Sequence, residues 1–266
     1  MRKLLSLLVV CLSLSVSTLA QSLDQSANGR EMKGAFTFAR AMELVYGSYD
    51  YSQMLSRWTP RQTKQPTKSF DVWSLMDMPY VENGTAKHLV ITTASPQTTD
   101  PTGYTCHSCA PLIGLVLFEK MSDRWVVEAS DLQFGNYGAF GQPPPFSLAP
   151  IGTGRYGLMM TTSFGSTGEW EKSVTIIIPT KGKFLKAFSV QTEGSSGWNC
   201  SENVAEGQRN DCFSYDGDVD MLPSSGSEYF DLLVTKRVYR SFSKKQPIGT
   251  TVTRYRFEGS KYLLEK

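Results

Sequence analysis

The residues with the most chemical capacity fall in two short strings. The first, Thr105-Cys106-His107-Ser108-Cys109-Ala110-Pro111, sets two thiols three positions apart with an imidazole between them. Cysteines at this spacing can close a tight disulfide, and a neighbouring cation lowers a thiol pKa and makes such a pair exchangeable. Three chemistries are open: a structural disulfide, a thiol–disulfide switch in which His107 tunes Cys106 or Cys109, and a metal site. Redox folds place this motif at a helix start, whereas here Pro111 to Lys120 runs on as a strand and hairpin. We therefore read the pair as a staple within a long loop, with redox exchange as the alternative. Zinc would have Cys106, His107 and Cys109, plus His88 as the other histidine, and adjacent Cys106 and His107 rarely both reach one ion. A c-type haem site needs histidine directly after the second cysteine, where this chain has Ala110.

The second string is Asp216-Gly217-Asp218-Val219-Asp220. Alternate carboxylates on a loop can converge on one calcium ion, which takes six to eight oxygens. The EF-hand template wants glycine at its sixth position and glutamate at its twelfth, where Met221 and Ser227 stand. A solvated acidic loop beside Cys212 is the reading we prefer, with Asp216, Asp218 and Asp220 kept as candidate calcium ligands. Nucleophilic catalysis has little to work with. Gly165-Ser166-Thr167-Gly168 and Gly194-Ser195-Ser196-Gly197 read as loops, and His88 and His107 are the two available bases. A pair of carboxylates acting as acid and base would make a hydrolase, and sequence does not show their separation. The absence of a glycine-rich loop between strand and helix argues against nucleotide binding. Aromatic residues are plentiful beside loops: Tyr137, Phe140, Phe146, Tyr156, Trp170 and Trp198. Of these, Trp198, Tyr137 and Phe140 are the candidate ligand-facing side chains, suited to a carbohydrate or peptide platform. The Pro143-Pro144-Pro145 run stiffens the loop that follows Phe140.

The elements that must position these residues are mostly strands. Residues 1–20 read as a secretory signal peptide: Arg2 and Lys3, an apolar run from Leu4 to Val16, and small residues before a cleavage point after Ala20. The chain holds 27 Lys+Arg and 25 Asp+Glu, and the signal takes away two bases and no acids, leaving 25 against 25. Such a balance gives no electrostatic reason to seek nucleic acid, and no later segment is apolar enough to be an integral membrane span. Four cysteines remain after Cys11, an even number that in an exported chain suggests two disulfides. Three pairings are possible; the simplest joins Cys106 to Cys109 and Cys200 to Cys212.

Residues 21–69 read as a leader, a helix and a connector. The spacing of Met32, Ala35, Phe36, Ala39, Met42 and Val45 predicts a helix over residues 30–46 that stops at Gly47, with a further helical turn near residues 51–58. Residues 70–266 read as a β-rich domain, with Phe70, Val72, Trp73 and Leu75 as a first strand. Three stretches, near 87–130, 156–192 and 229–266, then share one order: a short apolar strand with a threonine, a polar loop, and two strands around a tight turn. Trp125, Phe184 or Tyr262 opens the last strand of each. Each unit is expected to be a three-stranded antiparallel meander that cannot bury its apolar face alone.

Within the third unit, the aspartate string followed by Asp231-Leu232-Leu233-Val234 resembles the calcium-loop-plus-strand signature of FG-GAP or VCBS-type β-propeller repeats. Ten residues intervene where that family has a few, and the first two units lack the aspartate run. The resemblance implies a propeller-like ring; three meander units fit a sandwich equally well. The fold expected is therefore mainly β, built from three repeated meanders with an N-terminal helix. The function expected is that of an exported (periplasmic or secreted), non-enzymatic binding or accessory module for a protein, peptide or carbohydrate. The alternatives are an extracytoplasmic thiol–disulfide protein and a carboxylate-dependent hydrolase.

Overall fold

The computed structural model describes residues 26–60, 69–98, 103–166, 169–195, 213–224, 226–240 and 246–265. The elements run β1 (Glu31–Lys33), α1 (Phe38–Tyr46), β2 (Leu55–Trp58), β3 (Phe70–Glu82), β4 (Thr85–Pro96), β5 (Leu112–Met121) and β6 (Arg124–Asn136). They continue as β7 (Phe146–Gly152), β8 (Arg155–Ser166), β9 (Glu169–Thr180), β10 (Lys183–Ser195), β11 (Phe213–Leu222), β12 (Asp231–Arg240), β13 (Gly249–Glu258) and β14 (Lys261–Leu264). Two antiparallel sheets result. One has six strands in the order β1-β6-β5-β4-β3-β2, and the other has eight in unbroken chain order from β7 to β14.

All three expected meanders form: β4-β5-β6, β8-β9-β10 and β12-β13-β14 are each paired consecutively. They are not three separate blades. The first belongs to the six-stranded sheet, while β11 joins the second and third within the eight-stranded one. That larger sheet curls back on itself, because Phe230 donates its backbone N–H to the Ile151 carbonyl at 2.8 Å and Tyr229 bridges to Gly152.

Burial explains why the sheets stack. Strands β4 and β5 are apolar on both faces, as strands covered on two sides must be. Val90, Val116 and Phe118 face one way, against Ala41, Met42 and Val45 of α1. Leu89, Ile91, Ile113, Leu115 and Leu117 face the other, against Leu158, Met160, Ile177 and Phe184 of the eight-stranded sheet. A third cluster, with Ile176, Phe188, Leu232 and Tyr262, fills the far side of that sheet inside its curl.

The N-terminal part differs from expectation. Glu31–Lys33 is a strand paired with β6, so the helix starts only at Phe38, behind an N-cap at Thr37 that accepts from the Arg40 N–H. Gly47, with φ of 89°, ends it as expected. The second helical turn is absent: Leu55–Trp58 is strand β2, edging β3. Periodicity misled at β1 because Met32, buried in the same core as Met42 and Val45, continues the apolar register of the helix. Strands β7 and β11 lie where loops were expected. Asp216, Asp218 and Asp220 therefore stand in β11, paired on one side to β10 and on the other to β12. Among the described residues no helix is long and apolar enough to cross a membrane.

Candidate functional site

Cys106 and Cys109 are joined in a disulfide, their Cα atoms 4.9 Å apart, at the turn that leads into β5. The Cys109 N–H closes that turn on the Cys106 carbonyl at 2.9 Å. Cys106 is exposed, whereas Cys109 is only 8 % exposed. The loop after β6 docks on the same turn: the Phe140 N–H donates to the Cys106 carbonyl at 3.2 Å and the Gly141 N–H to the Cys109 carbonyl at 2.7 Å. Contact is close enough that a Cβ on Gly141 would sit 2.2 Å from the Tyr104 carbonyl oxygen, and Gly141 also has φ of +72°. Phe140 is held at φ of 54°, a left-handed conformation that bulky side chains avoid.

This clamp aims Phe140 at the end of the β8–β9 hairpin. Phe140, Phe164 and Trp170 are 52 %, 60 % and 39 % exposed, and with His107, Ser108 and Ser163 they line a cleft of about 500 Å3. His107 meets Phe140 edge-on at 5.0 Å and Phe164 at 6.3 Å between ring centroids. Among the described residues the lining contains no Lys, Arg, Asp or Glu. Exposed aromatic rings beside hydroxyls, without charge, form a surface that desolvates readily and can bond to a neutral ligand.

Of the sequence candidates, Phe140 reaches this cleft. Tyr137 turns inward instead: its ring lies 5.9 Å from Phe134, and the Lys186 ammonium sits over it at 4.9 Å. Trp198, Cys200 and Cys212 fall outside the described residues. Phe164 and Ser163 escaped the sequence reading because they continue a core strand; only the polar residues that follow them, up to Glu169, mark where burial stops.

The aspartates occupy one face of β11, where Arg237 on β12 spans two of them. Its Nε donates to Asp216 and its Nη2 to Asp218, both at 2.7 Å, while Asp220 is exposed. These bonds to Asp218 and Asp216 hold the guanidinium still more firmly protonated than usual. Among the described residues no group of three or more His, Cys, Asp or Glu side chains is arranged to hold a metal.

A second ionisable group was not foreseen. Lys87, its side chain 7 % exposed, lies 2.6 Å from Glu128, 2.8 Å from Glu82 and 3.5 Å from Glu119. Burial lowers the lysine pKa, but the hydrogen bonds to Glu128 and Glu82 outweigh it and leave the ammonium above its usual range. Burial, helped by Glu119, raises Glu128 above the ordinary carboxylate range despite Lys87. Glu82 also accepts the Tyr156 N–H at 3.0 Å, which ties β3 to β8 across the two sheets. His88 is likewise engaged: its Nδ1 lies 2.8 Å from Asp77, Phe36 stacks on its ring at 3.7 Å and Trp125 abuts it at 4.8 Å. The aromatic rings cover the His88 side of the pair, while Asp77 stays exposed.

No protein-family model, no curated protein and no solved structure matches this chain.

Proposed function

We propose that this protein is an exported, non-enzymatic binding module that takes a neutral, ring-bearing ligand, a carbohydrate unit, in the cleft beside Cys106–Cys109. The observation that carries this reading is the convergence of three exposed aromatic side chains, Phe140, Phe164 and Trp170, on one uncharged cleft. The apolar faces of a sugar ring stack on aromatic rings, and its hydroxyls suit Ser108, Ser163 and the His107 nitrogens. The volume falls within the range of roughly 300–1,000 Å3 typical of small-molecule sites. Export is supported by the signal-like first twenty residues, and a disulfide accords with an oxidising compartment.

The test is titration calorimetry against a panel of neutral oligosaccharides, comparing the wild type with Trp170→Ala and Phe164→Ala. Each variant should bind about fivefold or more weakly while melting like the wild type, since a truncated anchor in a binding site costs more than about 1 kcal/mol. Silence across the panel, or binding that both variants leave intact, overturns the reading; binding of apolar peptides alone would replace the sugar with a peptide side chain.

A further inference from the structure

We infer that Cys106 is a thiol-exchange site, and that the Cys106–Cys109 bond is the latch that keeps Phe140 in the cleft. Its consequence for ligand capture rests on the binding role proposed above; the exchange itself does not. The two sulfurs are presented unequally. Cys106 is exposed at the rim of the cleft and Cys109 is buried, so an incoming thiolate can approach only one end of the bond. A low-molecular-weight thiol such as glutathione attacks as its thiolate on Cys106 Sγ. A new sulfur–sulfur bond forms there while the Cys106–Cys109 bond breaks, and Cys109 leaves as a thiolate that takes a proton from solvent. A second glutathione thiolate then attacks the first glutathione's sulfur and releases Cys106 as a thiolate. The protein disulfide is thereby reduced by two electrons and two glutathiones are oxidised to their disulfide. Reversal re-forms the latch.

The coupling to the cleft is geometric. The two carbonyls that hold the aromatic loop, accepting from Phe140 and Gly141, belong to Cys106 and Cys109 themselves. Phe140 is kept at φ of 54° by that docking, so a turn freed from its cross-link no longer enforces a conformation the residue disfavours. The strands beneath do not depend on the latch, because Ile113, Leu115 and Leu117 are packed between the two sheets. Opening the bond therefore loosens the loop at Phe140 and Gly141, while Tyr137 stays tied to the Pro111 carbonyl at 3.1 Å and the sheets stay in place.

Full-length protein is equilibrated across a glutathione redox series, quenched by alkylation and mapped by mass spectrometry, with hydrogen exchange followed on parallel samples. The expected result is a glutathione adduct on Cys106 with the free thiol on Cys109, and protection at the Phe140 and Gly141 amides falling at least tenfold while amides of β5 and β9 keep theirs. An adduct on Cys109, a bond that resists glutathione until the strands unfold, or a cleaved bond that leaves Phe140 and Gly141 protected would each overturn the proposal. No ligand enters the measurement, so its failure is distinct from failure of the carbohydrate reading.

Discussion

Two regions gather the side chains that usually suggest function, and they are built oppositely. Around Lys87, a buried ammonium draws three partly covered carboxylates together, and each of them finds that same ammonium. At the cleft, three aromatic rings and an imidazole are drawn together and left in water. The first arrangement has satisfied its own chemistry and joins β3 to β8, the work of architecture. The second exposes apolar surface that folding did not use, and it holds Phe140 in a disfavoured backbone conformation to do so. Concentrated charge is thus the weaker guide here, and unspent apolar surface the stronger.

The sharpest way to break this comparison is to remove the cation. Lys87→Ala leaves Glu82, Glu119 and Glu128 close together without a counter-charge, and losing one partner of a buried ionic group costs about 3–5 kcal/mol. Urea unfolding at neutral pH should show a midpoint lowered accordingly with an unchanged slope. A loss below about 1 kcal/mol would mean that water reaches the cluster freely, and its claim to be architecture rather than a site would fall.

A finer test uses acid. Because burial raises Glu128 above its unfolded value, the folded state holds that proton more tightly than the unfolded state. Between the ordinary carboxylate range and the raised value, the folded protein binds more protons, so stability contributed here falls as pH rises through that window. Lys87 is shifted upward too, and its contribution is complete below the usual lysine range, so it does not confuse the acid window. Glu128→Gln should remove the decline in melting temperature that this group contributes as pH rises above the ordinary carboxylate range. The side chain is 31 % exposed, so solvent screening keeps the effect near or below about 1 kcal/mol. Parallel pH profiles for the two proteins would show that the carboxyl titrates normally.

What the sequence made legible follows from what each signal measures. The three meanders were readable because each has a hairpin with a turn of fixed chemistry and an aromatic residue opening its last strand at Trp125, Phe184 or Tyr262. The Asn83-Gly84 pair is the turn between β3 and β4, both residues lying at positive φ, at 48° and 80°, as a tight hairpin requires. Strand β11 was hidden because its alternate aspartates look like a loop, and only the partner strand, carrying Arg237, explains them. The Cys106–Cys109 pairing is the one the close spacing suggests, and Phe140 docks on the same turn. That they meet Phe164 and Trp170 was not readable, since the cleft joins one sheet's end loops to the other sheet's hairpin. The Lys87 cluster was invisible for the same reason: its four members come from four strands, and register alone brings them together.

The smallest effect tests whether the cleft really stores strain for function. Phe140 at φ of 54° occupies a region that costs an L-residue about 1–2 kcal/mol and costs glycine almost nothing. Phe140→Gly relieves that cost but gives the unfolded chain more freedom, a penalty of about 0.5–1 kcal/mol. The ring is 52 % exposed, so about half of its surface is lost from packing, and Phe140→Ala, which loses the same ring but keeps the left-handed cost, is the reference. The balance is a protein about 0.5–1 kcal/mol more stable than Phe140→Ala, read as a small rise in melting temperature, whose cleft lacks one wall. Binding of any oligosaccharide that the wild type takes should weaken in the same variant. Stability gained together with binding lost is what a residue kept for its ligand shows; Lys87 should show only stability lost. A Phe140→Gly protein that melts lower than Phe140→Ala would mean that residue 140 carries no backbone strain and would remove the contrast between the two regions.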